Sequence, residues 1–196
     1  GNEYSAQIIS VQRKNVIVEA DACLSLTKES PLPIHLGQGV SKGDRMDTVL
    51  QKSVELGVTE ITPILTERCT VKLDAGRWEK KQQQWQKIMV GACEQSGRNV
   101  LPTLNPPVTL SNWLAESTSS TRLVLAPGAT SSLARQPYNT KGYRLLIGPE
   151  GGLSETEIHH ANEKGFLSVS LGPRILRTET AAISSVSILQ AQHGDL

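Results

Sequence analysis

The stretch LLIGPEGGLSETEI, residues 145–158, limits the possible fold more than any other. An apolar run ends in Gly148-Pro149-Glu150-Gly151-Gly152, and the segment after it carries the marks of a helix start. Ser154 stands at the N-cap with Glu157 three residues on, the spacing at which each side chain satisfies a free backbone N–H near the other. The helix is predicted over Glu155 to Lys164, closed by Gly165, and the apolar run LSVSL (167–171) follows. Strand, bare loop, helix, strand is a βαβ unit, which calls for a parallel sheet covered by helices.

The same rhythm extends upstream. IHLGQGV (34–40), EITPIL (60–65), TRLVLA (121–126) and YRLLI (143–147) are short runs suited to strands. Helices are predicted from a Ser41–Asp44 capping signal through Leu56 to Gly57, from Arg77 to Gly97, and from Glu179 to Gln192. In the second, Trp78, Trp85, Ile88, Met89 and Ala92 recur at helical spacing. That periodicity reads Trp78 and Trp85 as core, not as platforms for stacked bases. Ahead of this unit, residues 4–20 alternate about a turn at Arg13-Lys14-Asn15, the pattern of a hairpin with one buried face. Residues 21–33 are mixed and polar and end in Pro31 and Pro33, as a linker does. The chain opens at Gly1 inside the first strand and reads as a fragment that has lost N-terminal residues. The expected division is 1–33 and 34–196.

Composition excludes several functions. The net charge is +1, so contact with RNA must come from a local patch and not from a global field. No apolar run approaches the roughly 20 residues of a membrane span. Cys23, Cys69 and Cys93 are odd in number and form no CxxC, which suits a reducing cytoplasm and opposes a disulfide framework or zinc site. His35, His159, His160 and His193 make no HExxH, so no metal is expected. There is no GxSxG for a nucleophilic serine.

Ligands of open α/β sheets bind beyond the carboxyl ends of the strands. Three loops there join Gly to Pro: APGA (126–129), GPEGG (148–152) and LGPRILRTETA (171–181). Glycine lets a ligand lie against backbone and proline holds the loop open. GPEGG is neither GxGxxG nor GxxxxGK[ST], and Glu150 puts a carboxylate where a phosphate would sit. A neutral or cationic adenosine-like ligand fits better.

LLIGPEGGLSETEI together with LGPRILRTETAAISSVSILQ (171–190) resembles the motif pair of the SPOUT methyltransferases. The chain is most similar to the bacterial family that methylates N3 of a uridine in 16S ribosomal RNA. QKSVELGVTEITPILTERCTVKL (51–73) and WQKIMVGACEQSGR (85–98) extend the likeness over residues 34–196. The resemblance implies an α/β fold with an open, mostly parallel sheet and a C-terminal trefoil knot, preceded by a remnant of a PUA-like, RNA-binding β-barrel. It also implies a cytoplasmic homodimer that acts on 16S rRNA in the small ribosomal subunit, without membrane or metal. AAISSVSIL (181–189) reads as either a dimer face or a core helix.

The implied cofactor is S-adenosyl-L-methionine, held by Leu125, Ile147, Gly148, Pro149, Gly151, Gly152, Leu171, Gly172, Ile175, Leu176 and Thr180. Arg177 is the first choice for a catalytic group, because a guanidinium beside the uracil favours its deprotonated form. Glu150 and Glu179 are candidate proton acceptors or orienters. Arg177 and Glu179 read alternatively as a local ion pair, and Thr178 and Thr180 as either helix caps or cofactor contacts. Arg68, Lys72 and Arg98 are the expected RNA contacts, while Lys80 and Lys81 belong to a charge run that also suits a solvated face. Two other readings stay open: a non-catalytic RNA-binding protein with a vestigial cofactor loop, and a nucleotide-binding metabolic enzyme.

Overall fold

The computed structural model describes residues 2–24, 27–71 and 74–196. β1 (Glu3–Val11) and β2 (Val16–Leu24) form an antiparallel two-stranded hairpin about the predicted turn, with two irregularities in its register. The expected buried face is absent. Every described hairpin residue except Ser10 is exposed, because among the described residues the strands pair only with each other and no second layer lies against either face.

The remaining strands are β3 (Ile34–Gly39), β4 (Glu60–Leu65), β5 (Thr103–Leu104), β6 (Val108–Thr109), β7 (Thr121–Leu125), β8 (Ser131–Ser132), β9 (Tyr143–Ile147) and β10 (Leu167–Ser170). They form one sheet in the order β5-β4-β3-β9-β7-β10-β8, with β6 also on β4, and every pairing is parallel. The late strand β9 lies between the earlier β3 and β7, in contact with both.

Among the described residues five α-helices cover the sheet: α1 (Asp44–Glu55), α2 (Ala75–Ser96), α3 (Leu110–Ala115), α4 (Glu155–Glu163) and α5 (Thr178–His193). Side chains alternate across a strand, so β9 serves two cores. Leu145 and Ile147 pack with Leu50 of α1, Met89 of α2 and Val186 of α5. Leu146 packs on the other face with Trp113 of α3 and Ala161 of α4. All five residues of β9 are buried, which is why YRLLI shows no polar alternation apart from Arg144.

Local signals placed most helix ends. The α4 capping box forms as predicted, with Glu157 N–H on Ser154 Oγ and Ser154 N–H on Glu157 Oε2. Gly97 ends α2 in the left-handed region, at φ 74°. The start of α1 is a correction. Ser41 does not cap it; the N-cap is Gly43, at φ 57°, and Ser41 Oγ turns back to the Gly39 carbonyl. The linker also corrects its expected length. β2 runs on to Leu24, and the segment from Lys28 belongs to the α/β unit: Leu32 is buried, Glu29 pairs with Arg98 and Ser30 Oγ donates to Gln190.

Arg144 is the one charge on β9. It stacks over Trp113, 4.1 Å from the ring centroid, and pairs with Glu116 at 2.6 Å. Next to this stack, His35 Nε2 lies 2.7 Å from Thr62 Oγ1 and accepts from Trp113 Nε1, which puts the proton on Nδ1 beside Glu60. Burial first, then the Arg144 charge, lowers the His35 pKa to about 4, against a small opposing pull from Glu116. Unfolded histidine protonates near pH 6.5, so the neutral ring stabilises the fold above that pH. The contribution is lost as pH falls from there toward 4, and a difference of this size is worth up to about 3 kcal/mol. Urea unfolding of the protein should weaken across that window, and His35→Gln should flatten the decline. Equal slopes for both proteins would show that His35 titrates as it does in the unfolded chain.

Candidate ligand site at the carboxyl edge of the sheet

The loops after β7, β9 and β10 converge on one cleft of about 260 Å³, joined by Arg68 from the turn after β4 and by Thr178 and Ala181 of α5. The central loop, 148–152, is held at several points. Gln38, fully buried at the end of β3, donates through Nε2 to Thr178 Oγ1 (2.9 Å) and to the Gly148 carbonyl (3.3 Å). Thr178 Oγ1 donates to the same carbonyl at 2.7 Å. Gly152 N–H closes the turn on the Pro149 carbonyl at 2.8 Å, and Arg68 Nη1 donates to the Gly151 carbonyl, also at 2.8 Å.

Close packing explains the bareness of this loop. A Cβ on Gly148 would stand 2.8 Å from Gly152 C and Leu153 N, and one on Gly39 would stand 2.4 Å from Pro149 N. Gly152 has φ +69°, and a Cβ there would meet nothing within 4 Å. Two glycines therefore admit the loop's own backbone, and Gly152 leaves open space. Apolar side chains (Leu125, Ile147, Leu171, Ile175, Leu176) supply much of the remaining wall, and Ile175 is 88% exposed.

Every residue expected to hold cofactor lines this cleft except Thr180, which is exposed on the first turn of α5 away from it. Neither Thr178 nor Thr180 caps α5: its N-cap is Arg177, with no side-chain hydrogen bond, and the Thr178 hydroxyl is taken by Gly148. Glu150 also lines the cleft, but its Oε1 accepts from Lys42 N–H (2.8 Å) and Arg45 Nη1 (2.9 Å). Partial burial raises its pKa, yet its own backbone N–H, that of Lys42, and the Arg45 guanidinium outweigh this and hold it below the usual carboxylate range. Such a group is a poor base, and its carboxylate ties the loop to the start of α1.

Arg177 is exposed beside the cleft, not among the residues that line it, and no ion pair joins it to Glu179 among the described residues. Glu179 Oε2 is buried without a hydrogen-bond partner among the described residues. That is a costly state for a carboxylate unless something else meets it.

Of the basic residues expected at RNA, Arg68 is at the cleft and Lys72 lies outside the described residues. Arg98 is a correction. Its side chain is 4% exposed, paired with Glu29 at 2.5 Å, and donates to the carbonyls of Val54 and Val58. It braces the interior and has no face for a phosphate. Trp85 is fully buried and hydrogen-bonded to Asp47, with half-buried Trp78 beside it, as the helical spacing predicted. Arg174 of the third loop lines the cleft without having been singled out; its place inside LGPRILR was the available signal. Among the described residues no group of His, Cys, Asp or Glu is arranged to hold a metal ion, and no helix is long and apolar enough to cross a membrane.

With this geometry the chain can be placed. Residues 28–190 match the family model described as an RNA methyltransferase domain, and the chain belongs to that family. Within it, the chain groups with the SPOUT-type ribosomal RNA small subunit methyltransferases E. The relative from Buchnera aphidicola (Schizaphis graminum) is 43% identical over 169 residues, covering 86% of this chain and 69% of the relative. A Legionella pneumophila structure in complex with the bound cofactor SAM matches at TM-score 0.94 and 49% identity, covering 100% of this chain and 81% of that one. The Neisseria gonorrhoeae small subunit methyltransferase E bound to S-adenosyl methionine matches at TM-score 0.94 and 39% identity, with the same coverage.

Substitutions at the glycines test the packing. Gly148→Ala should cost about 1–3 kcal/mol in urea unfolding, because the added methyl meets backbone. Gly91→Ala, with nothing within 4 Å on an exposed face of α2, should instead stabilise by up to about 1 kcal/mol. Equal effects at both sites would contradict the tight approach at Gly148.

Proposed function

We propose that this chain is an S-adenosylmethionine-dependent methyltransferase that modifies N3 of a uridine in the 16S rRNA of the small ribosomal subunit. The observation that carries the reading is the cleft where three glycine-proline loops converge, with apolar side chains for a purine and open space at Gly152 and Gly172. The site residues fit the cofactor: Leu125, Ile147, Leu171, Ile175 and Leu176 offer apolar contact, and the loop backbone is free of Cβ atoms where a ligand would press on it. Bound there, S-adenosylmethionine supplies a methyl group already activated by its sulfonium.

The chain's own groups have the task of presenting uridine N3 without its proton. Arg177, exposed and without an internal side-chain partner among the described residues, favours the deprotonated uracil electrostatically. Glu179 is the better proton acceptor or orienter, because its buried Oε2 lacks a partner while Glu150 is occupied by Lys42 and Arg45. β9 lying between β3 and β7 supports a threaded trefoil knot. Exposed Ile175 and the half-buried residues Ile183 and Ile188 of α5 support a homodimer packed near the cleft. The exposed hairpin supports a PUA-like element that docks RNA, with the α/β unit, packed from Lys28 on and not from 34, as the catalytic unit, working in the cytoplasm where subunits are assembled.

The test is transfer of labelled methyl to small-subunit RNA that lacks the modification, followed by nucleoside analysis. Label in N3-methyluridine is expected; label in any other nucleoside would overturn the specificity. Arg177→Ala should lower the transfer rate at least about 100-fold with cofactor affinity intact. Glu150→Gln should stay within about threefold of the parent, since the amide keeps an acceptor for Lys42 and Arg45. A large loss with Glu150→Gln at unchanged cofactor affinity would return the proton acceptor role to Glu150.

A further inference from the structure

Arg68 is exposed, yet its turn and its contact with Gly151 hold it at the cleft. Its turn is closed by Cys69 N–H on the Thr66 carbonyl at 3.1 Å. The neighbouring Glu67 N–H donates to Oε1 of Glu157 at 2.7 Å, and Glu157 is the same residue whose other oxygen completes the α4 capping box. The Arg68 stem lies along Gly151, where a Cβ would come within 3.3 Å of Arg68 Cβ, and Nη1 is fixed on the Gly151 carbonyl. A guanidinium has five N–H donors in a rigid fork, so one bond to Gly151 leaves a flat donor edge at the cleft.

The charge balance of the cleft says what that edge meets. Its charged lining consists of Arg68, Glu150 and Arg174, and the carboxylate of Glu150 is already neutralised from outside by Arg45. With Glu150 taken by Arg45, the positive charge of Arg68 stands beside apolar walls, which suits a carboxylate on an otherwise neutral or cationic ligand with a flat apolar part. Arg174 and Arg68 are both exposed, but Arg68 is tied to the cleft by its hydrogen bond to the Gly151 carbonyl.

Resting on the methyltransferase reading, we infer that Arg68 is the anchor for the α-carboxylate of the cofactor's amino-acid end. It holds the Gly151 carbonyl and the carboxylate with one guanidinium, and so ties the cofactor to the 148–152 loop. This takes Arg68 away from the RNA phosphates to which its sequence context pointed.

Calorimetric titration of the parent chain and Arg68→Gln with S-adenosylmethionine, S-adenosylhomocysteine and 5′-methylthioadenosine tests this, since the last ligand lacks the amino-acid end. Arg68→Gln should weaken the first two by about 10- to 100-fold and change methylthioadenosine by less than about twofold. Equal weakening of all three would make Arg68 only a support for the loop. Unchanged affinities with a raised KM for RNA would return it to the RNA surface. Either result overturns the anchor. Failure of the parent chain to bind any of the three overturns the methyltransferase reading instead, and is separable because it does not depend on the substitution.

Discussion

The carbonyl of Gly148 is the point on which the site depends. It receives Thr178 Oγ1 at 2.7 Å and Gln38 Nε2 at 3.3 Å, so the end of β3, the loop after β9 and the first turn of α5 meet at one oxygen. Each bond contributes only about 1 kcal/mol to stability. Their effect is geometric: with Gly148 turned inward, Gly151 and Gly152 face the cleft. Gln38 is fully buried, so the arrangement is shielded from exchange with water. The rest of the loop is fastened by other long reaches, Glu150 to Arg45 across 105 residues and Arg68 to Gly151 across 83.

The sheet makes that meeting possible. A strand buried on both faces has to be apolar throughout, and β9 satisfies this except at Arg144, which is neutralised by Glu116 and stacked on Trp113. Placing β9 between β3 and β7 brings its carboxyl end, with the GPEGG loop, to the middle of the edge instead of the margin. Loops from β7 and β10 then flank it. The result is a cleft whose floor is backbone and whose walls are aliphatic, suited to a flat ligand that is recognised by shape and by main-chain groups.

What the sequence disclosed was local. The α4 capping box, the glycine at the end of α2 and the helical spacing of Trp85 and Met89 are each encoded within a few residues, and each appears as read. Cleft-lining residues were legible because they cluster in two contiguous motifs. What could not be read depended on distant partners. Arg98 looked like a phosphate contact, but its counter-ion Glu29 lies 69 residues away. Glu150 looked like a free base until the start of α1 came to meet it. Ser41 looked like a cap, yet the chain enters α1 through Gly43 at φ 57°, a conformation that no spacing rule signals. The hairpin alternates as if one face were buried, and nothing within a strand says whether a second layer covers it.

The most direct test of the account is calorimetric titration of this chain with S-adenosylmethionine, with ATP and NAD as controls. The convergence of three loops on one apolar cleft predicts saturable binding near one site per chain, with neither control competing. A folded chain that bound no S-adenosylmethionine, or bound ATP or NAD equally well, would contradict the assignment of the cleft.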